Sequence, residues 1–271
     1  MNRYLSRALN DSDTPLHRSA LAGNAMLFNA NRWVQLTAGS DPLPAIGRST
    51  PLTFIAAVVP QINGLDPQNN QFRSVIAMVT PNISNSNFPS IFNFAVSGDG
   101  FWHLIVDINA SVANSFYSNA GAVNLLNRRV IVQSTYNGVL NNATSVRFFT
   151  NSLRRPTTLF SANASPMSPV AYPINIGRSN LYLSGRFVGY MRSVELIIGR
   201  LLTDAELRRA FNFGTAHAAG LITSTDISID FNRINGQAPI CRTGSRQLTV
   251  TPYNNTTPDV AGTTYADFYS L

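Results

Sequence analysis

The segment INIGRSNLYLSGRFVGYMRSVELIIGRLLTDAELRRAFNFG, from Ile174 to Gly214, constrains the fold more than any other part of the chain. Within it, RFVGYMRSVELII (Arg186 to Ile198) alternates apolar and polar residues and is rich in β-branched side chains, the pattern of a half-buried antiparallel strand. Gly189 interrupts the alternation, and a lone glycine in a strand marks a bulge or a close approach of a neighbouring backbone. Thr203 and Glu206 then stand at the spacing of a capping box, in which the hydroxyl accepts a free helix N–H and the carboxylate reaches back to the cap. That spacing predicts a short helix starting at Asp204. Its stop signal is Gly214, which tolerates the left-handed C′ conformation, after the basic pair Arg208 and Arg209.

The same strand pattern recurs in shorter pieces: Leu52 to Val59, Phe72 to Val79, Ile91 to Val96, Phe101 to Ile108, Val130 to Tyr136, Ser145 to Phe149 and Ile174 to Gly177. Between them run segments full of Asn, Pro and Gly, such as QINGLDPQNNQ and TPNISNSNFPS. SGDG (Ser97 to Gly100) reads as a hairpin turn. Many short strands with regular turn signals and one short helix near 204–212 predict an all-β fold, an antiparallel β-sandwich with N- and C-terminal extensions.

A glycine-centred strand followed at once by a short capped helix resembles the end of laminin-G-like and pentraxin-like domains, which share the concanavalin A-type jelly roll. The resemblance extends back through MLFNANRWVQL (Met26 to Leu36) as opening strand, LTFIAAVVP (Leu52 to Pro60) as the next, RRVIVQSTYNGV (Arg128 to Val139) as central strand and turn, and INIGRSN (Ile174 to Asn180) before the final hairpin. Asn127 and Arg128 replace the family's usual Trp-His pair, and Arg192 stands where an acidic residue is common. The resemblance divides the chain into an arm (1–24), a jelly-roll domain (25–214) and a β extension (215–271) that packs on the sandwich or on a neighbouring subunit. TDISIDFN (Thr225 to Asn232) and RQLTVTPY (Arg246 to Tyr253) are the extension's candidate strands.

The 271 residues are 44% hydrophobic and 12% charged, a globular balance with room for a large core. No apolar run is long enough for a membrane span, and the N-terminus lacks the apolar core of a secretory signal. All 20 basic residues are arginine, although lysine is among the commonest residues of globular chains. Two readings fit: a bias of the source genome, or a surface that is largely interface, where arginine is enriched and lysine depleted because a planar, weakly hydrated guanidinium tolerates desolvation and pairs bidentately. The arginines are scattered and form no basic run, so the net charge of +7 does not predict a nucleic-acid partner. Cys241 is alone, which excludes an intrachain disulfide and a Cys-based metal motif.

Glycan cleavage needs two carboxylates as acid and base. The only glutamates, Glu195 and Glu206, have structural readings as strand and capping-box residues. Asp226 and Asp230 lie four apart on one strand face and read as a solvated edge. His17, His103 and His217 are far apart, without metal-ligand spacing. No enzymatic activity is expected. The resemblance implies a calcium or sugar site at the sandwich rim. Asp99 and Asp107 are the acids near the middle strands that could hold calcium; no other cofactor is expected. Trp102, Tyr136 and Tyr182 are the candidate rings for stacking on a sugar.

These readings converge on a non-enzymatic structural and binding protein. A virion component is expected, a phage or viral capsid, decoration or tail protein whose lectin-like sandwich contacts host glycans. The expected partners are other copies of the chain, other virion proteins and host surface glycans. The alternative is a secreted or cell-surface carbohydrate-binding module.

Overall fold

The structure is a computed structural model that describes residues 22–29, 31–61, 73–79, 90–97, 101–109, 112–118, 127–161, 168–179, 186–268 and 270–271. The alternating segments form strands, introduced here in chain order. They are β1 (Asn24–Phe28), β2 (Arg32–Ala38), β3 (Leu52–Pro60), β4 (Arg73–Val79), β5 (Ser90–Val96) and β6 (Trp102–Asn109). Next come β7 (Val112–Ser118), β8 (Val130–Tyr136), β9 (Val146–Thr150), β10 (Leu153–Arg155), β11 (Thr157–Ser161) and β12 (Ile174–Ile176). After β13 (Gly189–Ile198) and helix α1 (Asp204–Asn212) follow β14 (Ile227–Asp230), β15 (Ile240–Cys241), β16 (Leu248–Asn254), β17 (Thr257–Pro258) and β18 (Tyr265–Asp267).

Two antiparallel sheets result. The first runs β10-β9-β8-β3-β13-β1-β18, with β14 also on β13 and β15 on β14; the second runs β11-β7-β6-β5-β4-β12-β2-β16-β17. This is the antiparallel jelly-roll sandwich that the sequence implies, with one short α-helix among the described residues. One expectation needs correction: Met26 to Leu36 is not a single strand. Asn29 accepts the N–H groups of Asn31 and Arg32 on its side-chain oxygen, and this turn sends β1 into the first sheet and β2 into the second. Apolar alternation runs through the turn because both strands face one core. The residues after Gly214 add strands to both sheets, β14 beside β13, β18 beside β1 and β16 beside β2. The flanks of the predicted Ser97 to Gly100 hairpin pair antiparallel, with Ser97 N–H donating to Phe101 O; residues 98–100 lie outside the described residues, as does the arm up to residue 21.

The main core lies between the sheets. Phe54 of β3 packs its ring 5.2 Å from Phe92 and 5.4 Å from Phe94 of β5, joining the two layers, and Phe94 stacks on Trp102. A second core covers the outer face of the first sheet. There Ile55, Ala57, Ile131, Phe149 and Ile197 meet Leu202, Leu207 and Ala210 of the helix region. The helix forms where the sequence predicts. Thr203 caps it, the capping box with Glu206 is complete, and Gly214 follows at φ +80°. Gly189 opens β13 at φ +136°, where an added Cβ would sit 2.0 Å from Val59 O, so the glycine permits the close approach of β3.

Candidate functional site

Carboxylates come first, because a glycan-cleaving site would need two of them uncommitted. Glu195 faces the outer side of the first sheet and has no exposed surface. It accepts the N–H groups of Ala216 and His217 and the Ser228 hydroxyl, which fastens the turn after α1 to the sheet. Glu206 completes the capping box. Asp226 and Asp230 differ from the solvated edge expected. Asp226 is fully buried, accepts the N–H of Ile198 and Thr223 and pairs with Arg200; Asp230 bridges Arg192 and Arg242. Asp226 lies just before β14 and Asp230 ends it, and at the buried and half-buried positions they occupy both acids require partners. Arg192, which replaces the acid usual in the resembled family, is thus held by an acid from β14.

The rings expected to stack on a sugar are corrected likewise. Trp102 is 1% exposed and packs on Phe94, while Tyr136 has no exposed surface and donates its hydroxyl to Arg48 O at 2.6 Å. Burial pushes the Tyr136 phenol far above its ordinary range. Both rings belong to the core between the sheets, which leaves neither a side open to solvent. Tyr182 and Asp99 lie outside the described residues. Asp107 is on β6, and its side chain is likewise outside them. Among the described residues no group of three or more His, Cys, Asp or Glu side chains comes together.

The outer face of the second sheet has a different character from that of the first. In β5, Phe92 and Phe94 point into the core, so Asn93 points out, and the registers align it with residues of the neighbouring strands. The resulting row is Thr251, Gln35, Asn175, Ala77, Asn93 and Ile105. Gln35 donates to the Asn175 side-chain oxygen at 3.4 Å. Exposure falls along the row, from half-buried Thr251 and Gln35 to Asn175 at 1% and Asn93 at 0%. Neither the nitrogen nor the oxygen of the Asn93 carboxamide has a hydrogen-bond partner. Such a buried group is costly to leave unpaired.

At the end of this face, Trp33 of β2 stacks on Tyr253 of β16 with centroids 4.5 Å apart and planes 15° from parallel. The Arg178 guanidinium lies 5.0 Å from the Trp33 ring centre, a cation–π contact. Asn255, at φ +54° in the turn between β16 and β17, accepts the Trp33 indole N–H on its carbonyl at 2.6 Å. Arg178 reaches the same carbonyl at 3.5 Å, and Arg186 donates to the side-chain oxygens of Asn31 and Asn255. Asn31 and Asn255 are exposed, which opens this rim to solvent. Burial and then the charge of Arg186 hold Arg178 below the ordinary arginine range.

Sequence reasoning did not select Gln35, Asn93, Asn175, Arg178 or Arg186. A signal was present in V-Q-L, F-N-F and I-N-I, where an amide alternates with large apolar residues and must therefore lie on the face away from the core. The arginines carried no such local signal, since their association depends on a bridge between Arg178 and Arg186.

No family model matches the chain, and no curated protein matches it in sequence. Solved structures do resemble it. A heptameric SAP-like pentraxin from Limulus polyphemus is 15% identical, with a TM-score of 0.47 over 70% of this chain and 82% of the pentraxin. A putative carbohydrate binding protein from Bacteroides ovatus is 13% identical, with a TM-score of 0.48 over 89% of this chain and 62% of that one. Domains LG4-5 of the mouse laminin alpha1 chain are 12% identical, with a TM-score of 0.42 over 88% of this chain and 48% of the laminin chain. The chain spans less than two thirds of the latter two. At these scores the likenesses carry no functional argument, and the fold assignment stands on the sheet order itself.

Proposed function

We propose that the chain is a non-enzymatic binding module that takes a glycan on the outer face of its second sheet, entering from the rim at Tyr253 and Asn255. The observation that carries this reading is the rim itself, where half-buried Gln35, Thr251 and Tyr253 stand beside exposed Asn31 and Asn255. A carboxamide offers a donor pair and an acceptor on one plane, which matches the adjacent hydroxyls of a sugar ring. The structural commitments of Glu195, Glu206, Asp226 and Asp230 support binding without turnover. A glycan array with the purified chain tests the reading. Retained oligosaccharides, lost in a Gln35→Ala variant with an unchanged circular dichroism spectrum, are expected; an array without retained glycans, or turnover of a bound one, overturns it.

The absence of lysine supports placing this module on a larger assembly, namely a virion as a capsid, decoration or tail component in contact with host glycans. Mass spectrometry of purified particles tests that placement, which fails if the chain is found only free or on a cell surface.

A further inference from the structure

The geometry points to the outward strip along β2 and β16 as a row of subsites that takes an uncharged, linear oligosaccharide lengthwise. This inference rests on the glycan-binding reading and names the ligand class of that site. Val34 and Leu36 of β2 and Leu248 of β16 belong to the core, so the residues that alternate with them point out. The register then sets Trp33 beside Tyr253, Gln35 beside Thr251 and Thr37 beside Thr249. Exposure grows along the strip, from buried Trp33 and half-buried Tyr253 through half-buried Gln35, Thr251 and Thr37 to exposed Thr249. Among the described residues β17 pairs with β16 at Tyr253 and Asn254 alone, so the rest of the strip runs along the margin of the sheet.

From Tyr253 to Thr249 the strip is about 13 Å long at the rise of a strand, while the two strands stand about 4.8 Å apart. A strip longer than one sugar ring and about one ring wide matches a chain laid along it, not a branch point. Its chemistry suits hydroxyl groups. None of its outward side chains carries a charge, so an acidic sugar meets no countercharge on it. Among the described residues the Thr37 and Thr251 hydroxyls make no hydrogen bond, and Thr249 donates to Ala38 O, which leaves its oxygen to accept. Gln35 reaches the Asn175 side-chain oxygen at 3.4 Å with one N–H and keeps its own oxygen for a ligand. The stacked rings of Trp33 and Tyr253 close one end with apolar surface beside the first polar pair.

The test starts from a glycan array that carries linear, branched and acidic oligosaccharides of matched size. Calorimetric titration of the full chain then follows the linear glycan retained most strongly and its stepwise-shortened homologues down to the monosaccharide. Affinity is expected to rise roughly tenfold over the series and to level off once the ligand outgrows the strip. A homologue with one uronic acid should gain nothing over the neutral ligand, at low salt as at high. Thr249→Val removes the outermost hydroxyl and keeps a β-branched side chain in the strand. It should weaken the longest ligand about fivefold, and more than the monosaccharide. Thr37→Val, at its cross-strand partner, should act in the same direction, and the thermal midpoint of each variant separates a lost contact from a lost fold. An array that retains only branched or acidic glycans overturns the linear row and leaves the glycan reading standing. Affinity that does not change with length does the same, as do two folded variants that bind the longest ligand as the wild type does. An array that retains no glycan overturns both.

Discussion

The Glu195 carboxylate accepts the His217 N–H at 2.8 Å, and through this contact β13 holds the turn that follows helix α1. The neighbouring Ala216 N–H and the Ser228 hydroxyl complete the clasp. Desolvation nonetheless dominates, and burial pushes the Glu195 carboxyl above its ordinary range against the pull of these donors and of Arg242. With a raised pKa the folded state binds this proton more tightly than the unfolded chain does. The contribution is fully present below the ordinary carboxylate pKa and is lost as pH rises through the folded value. Urea midpoints followed from about pH 4 to about pH 8 should therefore fall for the wild type relative to Glu195→Gln, which cannot titrate. A constant difference between the two would show that Glu195 titrates normally.

Removing the clasp altogether is more damaging. Glu195→Ala leaves the N–H groups of Ala216 and His217 without their acceptor and is expected to cost about 3 kcal/mol in denaturant unfolding. A loss below about 1 kcal/mol would mean that water or a rearranged turn replaces the carboxylate.

Helix α1 seals the outer face of the first sheet, and its start depends on one reciprocal pair. Thr203→Ala removes the acceptor for the Glu206 N–H and is expected to cost about 1 kcal/mol, as is Glu206→Ala on the other half of the box. The double variant should lose less than the sum of the two, a coupling measured by a double-mutant cycle.

Two glycines with positive φ separate crowding from backbone strain. Gly189→Ala places a Cβ 2.0 Å from Val59 O, whereas Gly199→Ala at φ +79° meets nothing within 4 Å. The second should cost about 1–2 kcal/mol from the left-handed backbone alone. The first should cost about 4 kcal/mol or more, because β3 and β13 must separate. Similar thermal midpoints for the two variants would contradict the close approach.

What was legible in the sequence was local. The capping box of Thr203 and Glu206, the Gly214 stop and the strands around Leu52, Val130 and Gly189 are each specified by residues within a few positions of one another. The division of Met26 to Leu36 between two sheets was not, because the alternation is uninterrupted and only the turn at Asn29 breaks it. Trp102 and Tyr136 misled for a related reason. Alternation tells which side of a strand a ring occupies, but not whether that side is covered. The candidate site was hidden more deeply still, since Trp33, Gln35, Asn175, Arg178 and Tyr253 come from β2, β12 and β16 and their near surroundings and meet only through long-range pairing.

The glycan reading is tested most directly by following the side-chain amide signals of Gln35, Asn93 and Asn175 by NMR while an oligosaccharide retained on an array is titrated into labelled protein. The expected result is a saturable shift led by Gln35, the half-buried member of the row, with smaller shifts at the buried Asn175 and Asn93. Saturable binding that leaves all three unmoved and shifts signals elsewhere would contradict the account.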